Sequence, residues 1–127
     1  MLDWNKYPNF SKSEFDCKET GKNLMTPAFM DKIQQIRTLY GRPMIVSSGY
    51  RDRSHSVERN KPAPGEHVLG LAGDFRVYGL HAFELVKVAI DCGIKRIGIH
   101  QKGDFDKRFI HIGMGDKHGF PPTIWSY

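Results

Sequence analysis

The sharpest chemical signal in the chain is the segment His67-Val68-Leu69-Gly70-Leu71-Ala72-Gly73-Asp74, in which a histidine leaves a loop and an aspartate follows seven positions later. Imidazole and carboxylate at this spacing can be aimed at one point if the chain turns between them. Gly70 permits the turn, and Ala72 keeps the same strand face clear beside Asp74. By spacing alone, a His and an Asp so placed are more often a hydrogen-bonded structural pair than metal ligands. His111 is the third candidate, provided its strand lies beside that of Asp74. Two neutral imidazoles and one carboxylate with a vacant fourth position suit a catalytic zinc ion, whose bound water becomes a usable nucleophile near neutral pH.

The elements that must position these residues can be read from periodicity and punctuation. Leu71 to Val77 reads as a strand with Leu71, Gly73, Phe75 and Val77 on one face and Ala72, Asp74 and Arg76 on the other, so Asp74 points away from the more apolar side. Arg96 to His100 and Arg108 to Met114 read as an antiparallel pair joined by QKGDFDK. In the second of these, His111 lies opposite the aliphatic Ile110 and Ile112. Met44 to Ser48 is a further strand, running into a long polar loop from Gly49 to Glu66.

Ser11 with Glu14 reads as a capping box opening a short helix. Thr26-Pro27 opens a stronger one with Phe29, Met30, Ile33, Ile36 and Leu39 facing the core and Gly41 as its stop. His81 to Cys92 is another, with Ala82, Leu85, Val86, Ala89 and Ile90 inward and Gly93 as its end. The carboxyl end, PPTIWSY, is extended, with Trp125 and Tyr127 packing over the sheet. Helices packed on a small, mostly antiparallel sheet predict an α+β fold, with residues 1–127 as one domain.

Composition narrows the classes. With 39% hydrophobic and 26% charged residues the chain is that of a globular protein, and no apolar run is long enough to span a membrane. The amino-terminal MLDWNKYPNFSKSEF has no signal-peptide pattern, so synthesis and retention in a cytoplasm are expected unless the protein is released. Cys17 and Cys92 form no CxxC pair and read as reduced thiols. A net charge of +5 favours a polyanionic partner such as nucleic acid or anionic cell wall, although ordinary solubility accounts for it equally well. The basic residues are scattered and form no nucleic-acid motif, so neither nucleic acid nor membrane is an expected partner.

Taken in order, SSGYR at Ser47–Arg51, HxxGxAxD at His67–Asp74, RFIHIG at Arg108–Gly113 and the terminal IWSY resemble the M15 family of zinc peptidases. The likeness runs from SEFDCKETG at Ser13–Gly21 to Tyr127. The likeness is to its small branch of phage and bacterial murein peptidases, related to D-alanyl-D-alanine carboxypeptidases and L-alanyl-D-glutamate endopeptidases. The resemblance implies a hedgehog/D,D-peptidase-like fold, zinc held by His67, Asp74 and His111, and a peptidoglycan stem peptide as substrate. It also implies that Arg51 holds a substrate carbonyl or carboxylate. A guanidinium can stabilise a developing oxyanion, while the structural alternative for Arg51 is an ion pair with Asp52 or Asp74 that braces the loop. A monomer is expected, acting on the cell wall after release or as a virion component.

Two positions depart from the family pattern. Many relatives carry an acid two residues after the last histidine, where this chain has Gly113, and others carry one three residues before it, where this chain has Arg108. Hydrolysis by zinc-activated water calls for a general base. Asp106 is the first choice, ahead of Asp104 and Asp116, and solvated turn residues are the bland reading of all three. A catalytically weak or inactive zinc-containing binding module on the same fold is the alternative. Ser47 and Ser48 read as strand-end hydrogen-bonders. His100 reads as a structural or ligand-orienting imidazole, His55 as a loop residue that could line the cleft, and His81 and His118 as surface residues.

Overall fold

The computed structural model describes residues 2–127. Near the amino terminus the Ser11–Glu14 capping box opens a single helical turn, α1 (Lys12–Phe15), which drives Phe15 into the core. Thr26 caps α2 (Pro27–Tyr40): its hydroxyl accepts the Phe29 N–H, and Gly41, in the left-handed conformation at φ 76°, ends the helix. The third helix, α3 (Gly79–Asp91), is two residues earlier than the His81 start expected from the sequence.

Four strands follow the expected positions closely, β1 (Ile45–Ser48), β2 (Ala72–Arg76), β3 (Arg96–His100) and β4 (Phe109–Gly113), and a fifth, β5 (Thr123–Ser126), forms in the carboxyl-terminal segment expected only to be extended. They form one sheet in the order β1-β2-β4-β3-β5. The β1–β2, β2–β4 and β3–β4 pairs are antiparallel, whereas β5 runs parallel to β3, so the sheet is mixed and the carboxyl end is a true edge strand.

The register divides the sheet into two faces of different chemistry. Phe75, Ile110, Ile112 and Ile97 lie on the face that joins the core with Phe29, Ile33 and Ile36 of α2 and Leu85 and Ala89 of α3. The opposite face carries a row across the sheet in register: Ser48, Asp74, His111, Gly98 and Trp125. Two residues expected in the core are not there: Leu39 is 62% and Ile90 54% exposed. In the last turn of α2 the core takes Tyr40, four residues beyond Ile36, and in α3 it takes Val88 beside the expected Ala89, so the apolar stripes turn away from Leu39 and Ile90 at their ends.

Gly70 holds the loop before β2 against the start of α2. Its carbonyl accepts both the backbone N–H and the hydroxyl of Thr26, at 3.1 and 3.0 Å. Its φ is 70°, and a β-carbon there would overlap the Leu24 carbonyl. A substitution therefore meets both an unfavourable backbone region and a rigid obstacle. Gly70→Ala is expected to cost more than about 2 kcal/mol, read as a lowered urea midpoint with an unchanged slope.

Candidate metal centre

Asp74 and His111 are direct cross-strand partners on the two central strands, so their side chains emerge side by side on the same face. The carboxylate oxygen Asp74 Oδ1 lies 2.9 Å from His111 Nδ1 and 3.4 Å from His67 Nε2. His67 comes from the loop before β2. Its Nδ1 lies 2.8 Å from the Gly49 carbonyl, which can only accept, so Nδ1 carries a proton and Nε2 is the nitrogen turned toward Asp74. All three residues are buried, and one ligand atom from each lies within 4.8 Å of the others.

The donor set fits a tetrahedral metal ion. Around zinc with bonds near 2.0–2.1 Å, neighbouring ligand atoms are about 3.3 Å apart, and the two distances from Asp74 Oδ1 bracket that separation. Burial pushes the Asp74 carboxyl upward, but the His67 charge and the hydrogen bonds from His111 and His67 outweigh it and hold the group well below the usual carboxylate range. His111 is affected in the opposite direction: burial lowers its pKa, but its hydrogen bonds to Asp74 and Glu66 and their charges raise it above that of an ordinary imidazole.

Arg51 stands beside this group. Its guanidinium lies 3.5 Å from Asp74 Oδ2 and 3.3 Å from Glu58 Oε2, and its Nε donates to the Ser48 hydroxyl at 3.2 Å. The ion pair anticipated with Asp74 is present. Asp52 does not take part, since it lies 3.5 Å from the Lys22 ammonium instead. Glu58 went unnoticed in the sequence because it sits in a polar loop, yet it is fully buried, with Lys61 at 3.0 Å and the Gly65 N–H at 3.1 Å as further partners. The loop's eighteen residues thus wrap a carboxylate that fixes Arg51.

Glu66 is the second residue that local reasoning missed. Its Oε1 lies 2.5 Å from His111 Nε2, and its Oε2 accepts from Arg96 Nε and the Gly115 N–H, each at 3.0 Å. Trp125 closes the site from the edge strand. Its indole lies over Gly98, where a β-carbon would approach to 2.7 Å, and its ring centroid is 5.0 Å from that of His111.

Two adjoining hollows open onto these residues. One, of about 430 Å³, is lined by His67, Asp74, His111, Trp125 and Tyr127; the other, of about 380 Å³, by Ser47, Ser48, Arg76, Asp106 and Lys107. Arg51, Asp74 and Phe109 border both. Asp106 is therefore on the cleft rim, exposed in a short 3-10 turn, whereas Asp104 and Asp116 line neither hollow. Ser47 donates to the Asp74 carbonyl at 3.3 Å and Ser48 accepts from Arg51, so both are hydrogen-bonders at the strand end. His100 stacks on Phe109, with ring centroids 4.8 Å apart. His55 lies 3.2 Å from Glu19 and borders neither hollow, and His81 and His118 are exposed.

A sequence model of the family described as Peptidase M15 matches residues 8–113. No curated protein matches the chain.

The buried Glu58 yields a prediction with a defined sign. Burial pushes its carboxyl up, but the hydrogen bonds from Lys61, Gly65 and Arg51 prevail and leave its pKa lowered. The unfolded value is about 4.3, so this carboxylate stabilises the fold above that pH, and the contribution disappears as pH falls through the lower folded value. Glu58→Gln is expected to lose about 2–3 kcal/mol at pH 7 and to flatten the acid limb of the stability curve, as measured by urea unfolding between pH 3 and pH 7.

Proposed function

The chain belongs to the peptidase M15 family, and on that premise we propose that it is a zinc-dependent peptidase that hydrolyses an amide bond of the peptidoglycan stem peptide. The observation that carries this reading is the buried group of two imidazoles and one carboxylate, with Arg51 beside it and a hollow in front of it. The residues that would hold zinc are His67 through Nε2, Asp74 through its carboxylate and His111 through Nδ1. Zinc bound there would supply a Lewis acid for the scissile carbonyl and lower the pKa of a water molecule into the neutral range.

The protein's own groups do the remaining work. Arg51, clamped by Glu58, Asp74 and Ser48, presents a fixed positive charge to the substrate carbonyl oxygen as it gains negative charge. Asp106 takes the proton of the attacking water and returns it to the leaving amine nitrogen. Support for Asp106 comes by elimination among the acids lining the two hollows. Asp74 belongs to the donor set, and both oxygens of Glu66 are engaged, whereas Asp106 has no hydrogen-bond or ion-pair partner among the described residues. A net charge of +5 suits an anionic wall polymer, with no role for nucleic acid or membrane. Among the described residues no helix is long and apolar enough to cross a membrane. The protein acts as a monomer that reaches the wall after release or as part of a virion.

A second reading, a zinc-containing wall-binding or structural module with little or no activity, is favoured by Gly113 and Arg108, which stand where relatives carry acids.

Metal analysis is expected to find about one zinc per chain, and His67→Ala to abolish it. The zinc form incubated with purified murein is expected to release new amino groups. Arg51→Ala should lower kcat/KM by about 10²–10³-fold, and Asp106→Asn should lower kcat by about 10²–10⁴-fold with zinc retained. Full zinc occupancy with no amino groups released at any pH would leave the module reading in place of the enzyme.

A further inference from the structure

We propose that Glu66 is a positioning residue for the metal centre: it receives the Nε2–H of His111 and so commits Nδ1 of that ring to the metal. This inference rests on the reading of His67, Asp74 and His111 as metal ligands. A histidine can bind a metal through either nitrogen, and the choice follows from the hydrogen bond made by the other. Here Nδ1 is the nitrogen beside Asp74, at 2.9 Å, and Nε2 is the one beside Glu66. The imidazole ring therefore stands between the Glu66 carboxylate and the donor cluster. From behind the ring the carboxylate cannot act on a water at the metal, but it can hold the ring's tautomer and angle.

The surroundings of Glu66 are arranged to receive a carboxylate. A β-carbon built at Gly113 would come closer than 3.0 Å to all three of its carboxyl atoms, and one at Gly115 would come to 2.7 Å from Oε2. Both backbones leave that space empty, and the Gly115 N–H donates into it. Arg96, 11% exposed at its side chain, donates from the remaining side while its guanidinium lies 5.0 Å from the Trp125 ring and 5.2 Å from the Phe120 ring. Gly113 is thus not simply a missing acid. The space that a side chain at position 113 would take is filled from the His67 loop by the carboxylate of Glu66.

The geometry makes position 66 and position 113 alternatives for one space, which supplies the test. Zinc affinity would be measured by chelator competition on the full chain, alongside the proton NMR signal of the His111 Nε2–H in the zinc form. Glu66→Gln and Glu66→Ser are expected to bind zinc about 10- to 100-fold more weakly. The hydrogen-bonded, downfield Nε2–H signal should shift upfield and exchange faster with water. Gly113→Asp alone, which forces two carboxylates into one space, should also weaken binding. Glu66→Ser combined with Gly113→Asp restores one carboxylate from β4 and should recover at least tenfold of the lost affinity together with the downfield signal. Wild-type affinity and an unmoved Nε2–H signal in Glu66→Gln, with His67→Ala still abolishing binding, would overturn the role of Glu66 while leaving the metal centre intact. Failure of the wild type to bind zinc would overturn both.

Discussion

The register of β2 against β4 is the constraint on which the chemistry of this molecule depends. Asp74 and His111 are 37 residues apart in sequence and become neighbours only because they are opposed in an antiparallel ladder. A slip of one residue would send one of them into the apolar layer with Phe75, Ile110 and Ile112. The same apolar residues oppose that slip, because it would turn them out of the core they form with α2 and α3. The packing of one face thereby guarantees the polar alignment of the other, and β1, β3 and β5 extend the aligned row to Ser48, Gly98 and Trp125.

Placing polar groups at the centre of a small domain carries a desolvation cost, which the structure meets by pairing each buried carboxylate. Asp74 is met by two imidazoles and Arg51, Glu58 by Arg51, Lys61 and a backbone N–H, and Glu66 by His111, Arg96 and a backbone N–H. An isolated buried charge would cost several kcal/mol, whereas a fully hydrogen-bonded one can be accommodated. These pairs share members, so they form two connected chains that meet at Asp74. One runs through Arg51 to the loop, and the other through His111 and Glu66 to Arg96. The long segment between β1 and β2 is held down by this network in the absence of regular secondary structure, with Arg53 adding bonds to the carbonyls of Glu58 and Lys61.

Space is as closely specified as charge. The indole of Trp125 reaches His111 only because β3 has no side chain at Gly98, and the Glu66 carboxylate fits only because β4 and the turn after it have none at Gly113 and Gly115. Glycine within a strand normally weakens it, and here each one marks the approach of a neighbouring group. The carboxyl-terminal strand is consequently part of the site: it supplies Trp125 and Tyr127 to the hollow in front of the candidate metal ligands.

Local physics made much of this legible in advance. Caps at Ser11 and Thr26, the glycine stops at Gly41 and Gly93, and two-residue alternation around Asp74 and His111 all act over a few residues, so the sequence alone determined the helices, the strands, the two-faced character of β2 and β4, and the trio His67, Asp74 and His111 as candidates. What it could not determine were contacts made across the fold by residues with no local signature. Glu58 and Glu66 lie in a segment that reads as a long polar loop and are buried, Leu39 and Ile90 read as core and are exposed, and PPTIWSY reads as an extended tail and contains an edge strand. Gly113 read as the loss of an acid, because a sequence records which side chain is missing from a position but not which neighbour fills the space. The tertiary structure decided that point, since the loop carrying Glu66 and the strand carrying Gly113 are brought together only when the sheet closes its register.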